Sequence, residues 1–110
     1  MKIEKKEKYT LIKDEKDNLA NFAGYLTGRI EEFKDQNLVI DLLKYDEAEL
    51  TDLLNFLEVS VIHRRKKRSF VMLNISLSTS EIPNELLIVP TLQEAEDIIA
   101  MEEIERDLGF

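Results

Sequence analysis

The chain has 110 residues, no cysteine and a formal charge of −8 at pH 7. This length suits one domain with a single core, and the lack of cysteine excludes disulfides, thiol catalysis and cysteine-ligated zinc. The acidic balance argues against general nucleic-acid binding, because contacts to phosphates need a basic surface. The start, MKIEKKEKY, lacks the apolar core of a signal peptide, and no apolar run approaches the roughly 20 residues that span a bilayer. We therefore expect a cytoplasmic protein without a membrane segment.

Two short strands and one helix are predicted in the first third of the chain. The strands cover residues 1–5 and 8–13, where dense lysines suit an exposed sheet edge. The helix begins after an N-cap at Asp17 or Asn18 and keeps apolar residues at helical spacing between positions 19 and 33. Gly24 and Gly28 each weaken it by about 1 kcal/mol relative to alanine. Their spacing suggests the close approach of another element.

The middle of the chain predicts a strand over residues 38–43 and then a second helix. The strand is apolar on both faces except at Asp41, which is typical of a parallel sheet covered on both sides. Asp46 and Glu49 have the spacing of a capping box at the helix start. One apolar stripe follows, formed by Leu50, Leu53, Leu54, Leu57 and Val61. If this stripe is buried against the strand, Leu54→Ala should cost about 2–5 kcal/mol.

The last third predicts strands over residues 69–75 and 86–89, separated by a polar loop. Thr91 and Glu94 then form a second capping box behind Pro90. The final helix has two opposed apolar faces: Leu92, Ala95, Ile98 and Ile99 on one, and Met101, Ile104 and Leu108 on the other. This pattern predicts either a kink near Ala100 or a tail, residues 101–110, that docks on a second surface such as another copy of the chain.

Together these elements predict an α/β fold with a mixed, largely parallel sheet of four to five strands flanked by helices. A single domain should cover residues 1–110, with residues 101–110 as a C-terminal extension of the last helix.

Few side chains offer catalytic or metal chemistry. The only histidine, His63, lies near a predicted helix end, which favours an exposed capping cation over a catalytic base. Carboxylates that could hold a divalent cation cluster around the second helix start: Asp41, Asp46, Glu47, Glu49 and Asp52. Helix capping and solvation explain these acids better. We therefore predict no catalytic residue, no metal site and no cofactor.

A basic patch interrupts the acidic chain, formed by Arg64, Arg65, Lys66, Lys67 and Arg68. A solvated helix end is the favoured interpretation, since only Phe70 lies nearby and nucleic-acid bases would have no aromatic platform.

Several hydrophobic residues lie off the predicted core faces. Phe56 and Val59 are off the leucine stripe, and the tail adds Met101, Ile104, Leu108 and Phe110. They either cover each other within the monomer or form a partner or homodimer surface.

Three segments resemble the STAS domain, the sulphate transporter and anti-sigma-factor antagonist family, over roughly residues 9–99. Ile40-Asp41-Leu42 matches the hydrophobic-Asp/Asn-Leu triplet that ends a family strand. The family's D-S-S-G-L loop falls on Glu49-Leu50-Thr51-Asp52-Leu53. The segment Val89-Pro90-Thr91-Leu92-Gln93-Glu94-Ala95 matches the closing pattern hydrophobic-x-P-T-x-x-E-A.

The resemblance implies a non-catalytic regulatory module that binds a protein partner such as an anti-sigma-like regulator. Family antagonists are switched by phosphorylation of a serine in the D-S-S-G loop. Here Leu50 and Asp52 replace a serine and the glycine, so the switch is lost or degenerate, with Thr51 as the only hydroxyl. The implied partner-binding residues are Asp46, Glu49, Thr51, Asp52, Asn55, Phe56 and Val59.

The whole chain is also similar to short bacterial proteins that end in EAEDxIxMEEIERDLGF and often carry the name ribonuclease Z. That name implies a metallo-β-lactamase nuclease, for which this chain is too short and has too few histidines. Two alternatives to the interaction module stay open. One is a small-ligand or nucleotide-binding domain that uses a cleft at the strand C-termini, and the other is an RNA-associated accessory protein that uses the basic patch.

Overall fold

The sheet follows the order of the sequence. In the computed structural model, which describes residues 1–109 apart from the side chain of Thr79, five strands form one sheet in the order β1-β2-β3-β4-β5. Their bounds are β1 Lys2–Lys5, β2 Thr10–Lys13, β3 Leu38–Asp41, β4 Phe70–Leu73 and β5 Leu87–Val89. β1 is antiparallel to β2, and the other pairs are parallel. The predicted α/β fold with a mixed, largely parallel sheet is thereby confirmed.

The described residues form four α-helices: α1 Leu19–Arg29, α2 Leu50–Leu53, α3 Leu57–Arg65 and, after the last strand, α4 Leu92–Asp107. Two of the predicted helix starts are confirmed. The Asn18 side chain accepts a hydrogen bond from the Asn21 amide, and Thr91 Oγ1 accepts one from the Glu94 amide. Three short 3₁₀ segments cover Ile30–Phe33, Leu54–Phe56 and Thr79–Glu81.

The helices cover the two faces of the sheet unequally. α1 and α3 pack on one face, where Phe22, Leu26 and Val59 meet Ile40 and Met72. α4 covers the other face, with Ala95 and Ile99 in a second cluster beside Val39, Val71 and Leu73. Successive residues of a strand point to opposite faces, so a strand buried on both sides must be apolar throughout. β4 meets this condition throughout and β3 meets it up to Asp41, its last residue, and together they form the centre of the fold.

The second helix runs through α2, the 3₁₀ segment and α3, and its fully buried face shares only Leu53 with the predicted leucine stripe. Leu53, Phe56, Val59 and His63 are buried, whereas Leu54 is only half-buried. The Leu54–Phe56 segment is a 3₁₀ helix, which has three residues per turn and therefore changes which side chains face the sheet. Phe56 and Val59, predicted as exposed partner-binding residues, are both 0% exposed. Assigning them to a partner surface was wrong.

The last helix continues past Ala100, where the sequence predicted a kink. α4 continues through Asp107, and Arg106 Nη2 donates to Asn37 Oδ1 at 3.3 Å and to Ser69 Oγ at 3.2 Å. The tail thus remains on the body of the domain, while Met101 and Ile104 point to solvent. Phe110, which the sequence places in the same apolar tail, lies outside the described residues.

Gly24 and Gly28 lie on the exposed side of α1 and do not permit a close helix contact. In the described part of the chain, a Cβ placed at either glycine meets no heavy atom of another element within 4 Å. We expect Gly24→Ala and Gly28→Ala each to raise the free energy of unfolding by about 0.5–1 kcal/mol, because alanine restricts the unfolded chain. Urea denaturation measures the change. A loss of stability in either variant would contradict this placement.

Candidate docking site at the β3–α2 loop

The loop between β3 and α2 lies at the C-terminal edge of the parallel strands, where open α/β sheets bind their ligands. The Asp41 carboxylate at the end of β3 accepts a hydrogen bond from the Leu43 amide at 3.0 Å and turns the chain away from the sheet. Two backbone turns follow, closed by Tyr45 N to Leu42 O and by Ala48 N to Tyr45 O. The loop is therefore a folded segment.

Two side chains that directly follow other strands of the sheet hold this loop by hydrogen bonds. Asn74, which follows β4, donates from Nδ2 to the carbonyls of Leu42 and Tyr45, both at 3.0 Å. Tyr45 in turn donates its hydroxyl to Asp14, the buried carboxylate that follows β2. Burial, and then the Asp14 carboxylate, raise the pKa of the Tyr45 hydroxyl well above its ordinary value. Tyr45 therefore remains a neutral donor at physiological pH.

The second helix begins three residues later than its predicted capping box. Glu49 is the N-cap instead of Asp46, and its amide donates to Asp52 Oδ2 at 2.9 Å. The carboxylate of Asp52 thus serves as the return half of a capping box. Asp46 lies in the loop that precedes this cap.

Five of the seven predicted partner-binding residues are exposed on this loop and on the first turns of the helix: Asp46, Glu49, Thr51, Asp52 and Asn55. Glu47 is exposed beside them. A depression of about 320 Å³ lies next to the loop, with Lys44, Asp46, Glu47 and Asp52 among its lining residues. Its charge is mainly negative, which disfavours phosphate. We name the exposed acids Asp46, Glu47, Glu49 and Asp52 the acidic loop surface.

Thr51, the only hydroxyl at the positions of the family's switch loop, lies in the first turn of α2 with an exposed side chain. Its role as a degenerate phospho-acceptor stays a prediction.

The acids of the loop do not converge on one point. Asp41 and Asp52 accept backbone amides, and residues 1–109 contain no group of three His, Cys, Asp or Glu side chains placed to hold a metal ion. The arrangement of these residues therefore does not support a divalent-cation site in the described part of the chain.

The basic patch lies at the opposite edge of the sheet, at the end of α3. Arg64 Nη2 pairs with Glu102 at 2.9 Å, and Lys66 pairs with Glu31. Lys67 has a φ of 62°, the left-handed conformation that ends many helices. A depression of about 370 Å³ beside the patch is lined by charged residues and Gly109 and contains no aromatic side chain among its described lining. The geometry therefore offers no platform for base stacking.

A buried polar network below the patch was not predicted from the sequence. Asn37 Oδ1 accepts from the Ser69 amide at 2.9 Å, and Ser69 Oγ donates to Glu102 Oε1 at 2.6 Å. With Arg106, these residues fasten α4 to the starts of β3 and β4. The available signal was a polar residue directly before each of two apolar strands, at positions 37 and 69.

His63 is fully buried and is not the exposed capping cation that its position near a helix end predicted. Its Nε2–H donates to the Gln36 carbonyl at 2.6 Å, and its Nδ1 is buried without a hydrogen-bond partner among the described residues. Burial lowers the pKa of His63, and the nearby charges of Lys66 and Arg68 lower it further, whereas the Gln36 carbonyl opposes them. In the folded chain this ring is therefore neutral at pH 7.

We expect the stability of the domain to fall on mild acidification because of His63. In the unfolded chain the imidazole takes up a proton near its ordinary pKa of about 6.5, and in the folded chain only at lower pH. The free energy of unfolding should thus decrease as pH falls below about 6.5, by at most about 1.4 kcal/mol per pH unit. Urea titrations between pH 7.5 and 5.5 measure this slope. His63→Gln keeps a donor without titrating and should flatten the slope; an equal slope in both proteins would contradict the assignment.

Within residues 1–109, no helix combines the length and apolar composition that crossing a bilayer requires.

A scan against models of known protein families gives no match for this chain, and a search of curated proteins also finds none. The resemblance to STAS domains therefore depends on the sequence motifs at residues 40–42, 49–53 and 89–95 alone.

Proposed function

We propose that this chain is a cytoplasmic, non-catalytic protein-interaction module of the STAS type, and that it binds its partner through the acidic loop surface. The observation that carries the proposal is a set of four exposed acids on the β3–α2 loop and the first turn of α2, where Asn74 and Tyr45 hold the loop in place. A fixed loop loses little conformational entropy on binding, which favours recognition. The proposed partner presents lysine and arginine side chains to this surface.

The placement of the motifs supports the STAS assignment. Ile40-Asp41-Leu42 covers the end of β3, and the positions of the family's switch loop, residues 49–53, form the N-cap and α2. Pro90 and Thr91 join β5 to α4, as the closing family pattern implies. Since Leu50 and Asp52 replace a serine and the glycine, the proposed module binds without a serine switch.

The bonds of three polar groups in or beside the core support a non-catalytic role, because each of them has a structural purpose. His63 donates to a backbone carbonyl, Asp14 accepts the Tyr45 hydroxyl, and Glu102 binds Ser69 and Arg64. These bonds position the loop and fasten α4.

Site-specific photocrosslinking tests the proposal. A benzophenone side chain at Asn55, which lies exposed beside the acidic loop surface, should capture a partner from native lysate. The same group at Tyr25, which is 53% exposed on α1, should not capture that partner. Asp46→Lys should abolish capture by repelling a basic surface, and Asp35→Lys, at another exposed loop aspartate, should not.

Capture of the same proteins from both positions, or capture that Asp46→Lys leaves unchanged, would contradict the proposal. Thermal-shift measurements with ATP, inorganic phosphate and Mg²⁺ test the small-ligand alternative. Saturable stabilisation by any of them would overturn the interaction-only function.

A further inference from the structure

The outer face of α4 carries an exposed apolar strip. Met101, Ile104 and Leu108 are 60%, 58% and 66% exposed, respectively. Their spacing places them on one side of the helix over a length of about 10 Å. Ala95 and Ile99, which bind α4 to the sheet, lie on the opposite side. The strip therefore contributes nothing to the core that α4 completes.

A groove adjoins the strip. It has a volume of about 630 Å³ and lies between α4 and the turn that connects β1 to β2. Its apolar lining includes Tyr9, Leu92, Ile99 and Ile104, and the last of these also belongs to the strip. The Tyr9 hydroxyl donates to Glu96 at 2.7 Å and links the two walls. Strip and groove are thus one continuous surface.

This surface has acidic flanks. α4 contains seven acidic side chains and a single basic one, Arg106. Glu96, Glu103 and Asp107 line the groove, and Glu105 lies on the other side of the strip. Within residues 1–109, the carboxylates of Glu103, Glu105 and Asp107 take part in no ion pair. Their charge is available to a partner.

The opposite wall is less uniform in charge. Lys6, Glu7 and Lys8 form the turn, and Lys6 already pairs with Glu4 at 3.4 Å. A cationic partner would therefore turn its charges toward α4 and its apolar face toward the strip and the groove floor.

Charge decides between the candidate occupants of this surface. Two copies of α4 packed side by side would bring their acids together, which disfavours the homodimer predicted through the tail. Anionic lipid headgroups and nucleic-acid phosphates are repelled for the same reason.

We propose that the surface formed by Met101, Ile104, Leu108 and the adjoining groove binds a cationic amphipathic helix of another protein. Such a helix places apolar residues on the strip and lysine or arginine beside the acids.

This second docking surface is independent of the acidic loop surface, which lies at the C-terminal edge of the strands and shares no residue with it. The proposal for α4 and the proposal for the acidic loop surface can therefore fail independently of each other.

A designed peptide tests the inference. The probe is a fluorescent peptide of about 16 leucine and lysine residues, with leucines at i, i+3, i+4 and i+7 spacing. We expect saturable binding to the full chain in fluorescence anisotropy. A peptide with glutamate in place of lysine, and a peptide of the same composition with leucine and lysine alternating, should bind at least about tenfold more weakly.

Two isoleucines provide a matched pair of variants. Ile104→Ser removes the apolar group shared by strip and groove and should weaken peptide binding by about tenfold. Ile75, which is 59% exposed outside α4, has nearly the same exposure as Ile104. Ile75→Ser should leave the dissociation constant within about twofold, as should Asp46→Asn on the acidic loop surface.

Equal weakening by Ile104→Ser and Ile75→Ser would overturn the inference, as would equal binding of all three peptides or no saturable binding. Sedimentation velocity supplies a further check. A concentration-dependent dimer that Ile104→Ser dissociates would identify a second copy as the occupant and would overturn the proposed cationic helix.

Discussion

Phe56→Ala should lower the free energy of unfolding by about 3–5 kcal/mol, the typical cost of removing a buried aromatic ring. Phe56 is 0% exposed, and its ring meets Phe22 edge to face, with the two centroids 5.9 Å apart. This contact joins α1 to the second helix above the sheet. Domains of this size have a total stability of about 5–15 kcal/mol, so the loss would be a large fraction of it. Guanidinium denaturation followed by circular dichroism measures the change.

Tyr25→Ala is the control for this variant. Tyr25 is also aromatic and lies on α1, but it is 53% exposed, and its hydroxyl accepts from Arg29 at the surface. We expect its truncation to cost less than about 1 kcal/mol. If Phe56 belonged to a partner-binding surface, Phe56→Ala would have an equally small effect.

Leu53→Ala and Leu54→Ala should differ strongly although the residues are neighbours of the same type. Leu53 is fully buried, so its truncation should cost about 2–5 kcal/mol. Leu54 is half-buried, and we expect a loss of only about 1 kcal/mol, instead of the 2–5 kcal/mol that the leucine stripe predicted. The same denaturation experiment compares them directly.

This pair of variants tests which side of the second helix faces the sheet, because the two residues differ in burial and not in type. An equal loss at both positions, or a larger loss at Leu54, would contradict the half-buried position of Leu54.

The sequence was sufficient to predict the features of the fold that depend on local signals. The apolar runs around residues 38–41 and 70–73 predicted two central strands, because a strand buried on both faces cannot alternate with polar residues. Asn18 and Thr91 predicted helix starts, since capping involves side chains and amides only three residues apart.

The rotation of the second helix could not be predicted in the same way. A periodicity of 3.6 residues, applied to residues 50–61, selects both Leu53 and Leu54, whereas the 3₁₀ segment at Leu54–Phe56 turns Phe56 inward and leaves Leu54 half-buried. The error propagated along the helix to Val59 and His63, which were predicted outside and lie inside. For this one reason, Phe56 and Val59 are not available as partner contacts.

The candidate site was predicted in composition and only partly in geometry. Exposed acids on a strand-to-helix loop follow from the sequence, but their support from Asn74 and Asp14 depends on side chains about 30 positions away. The network of Asn37, Ser69 and Arg106 has still longer separations along the chain. No local pattern encodes such contacts.

The order of the sheet has a consequence for how the chain acquires its structure during synthesis. Each strand pairs with the one made before it, so β1 to β5 can assemble progressively as they leave the ribosome. α4 is made last, and until it docks, Val39 and Val71 in the middle of the sheet lack their apolar cover. Nascent chains that stop before residue 92 should therefore expose an adhesive sheet face and depend on chaperones until translation of α4 is complete.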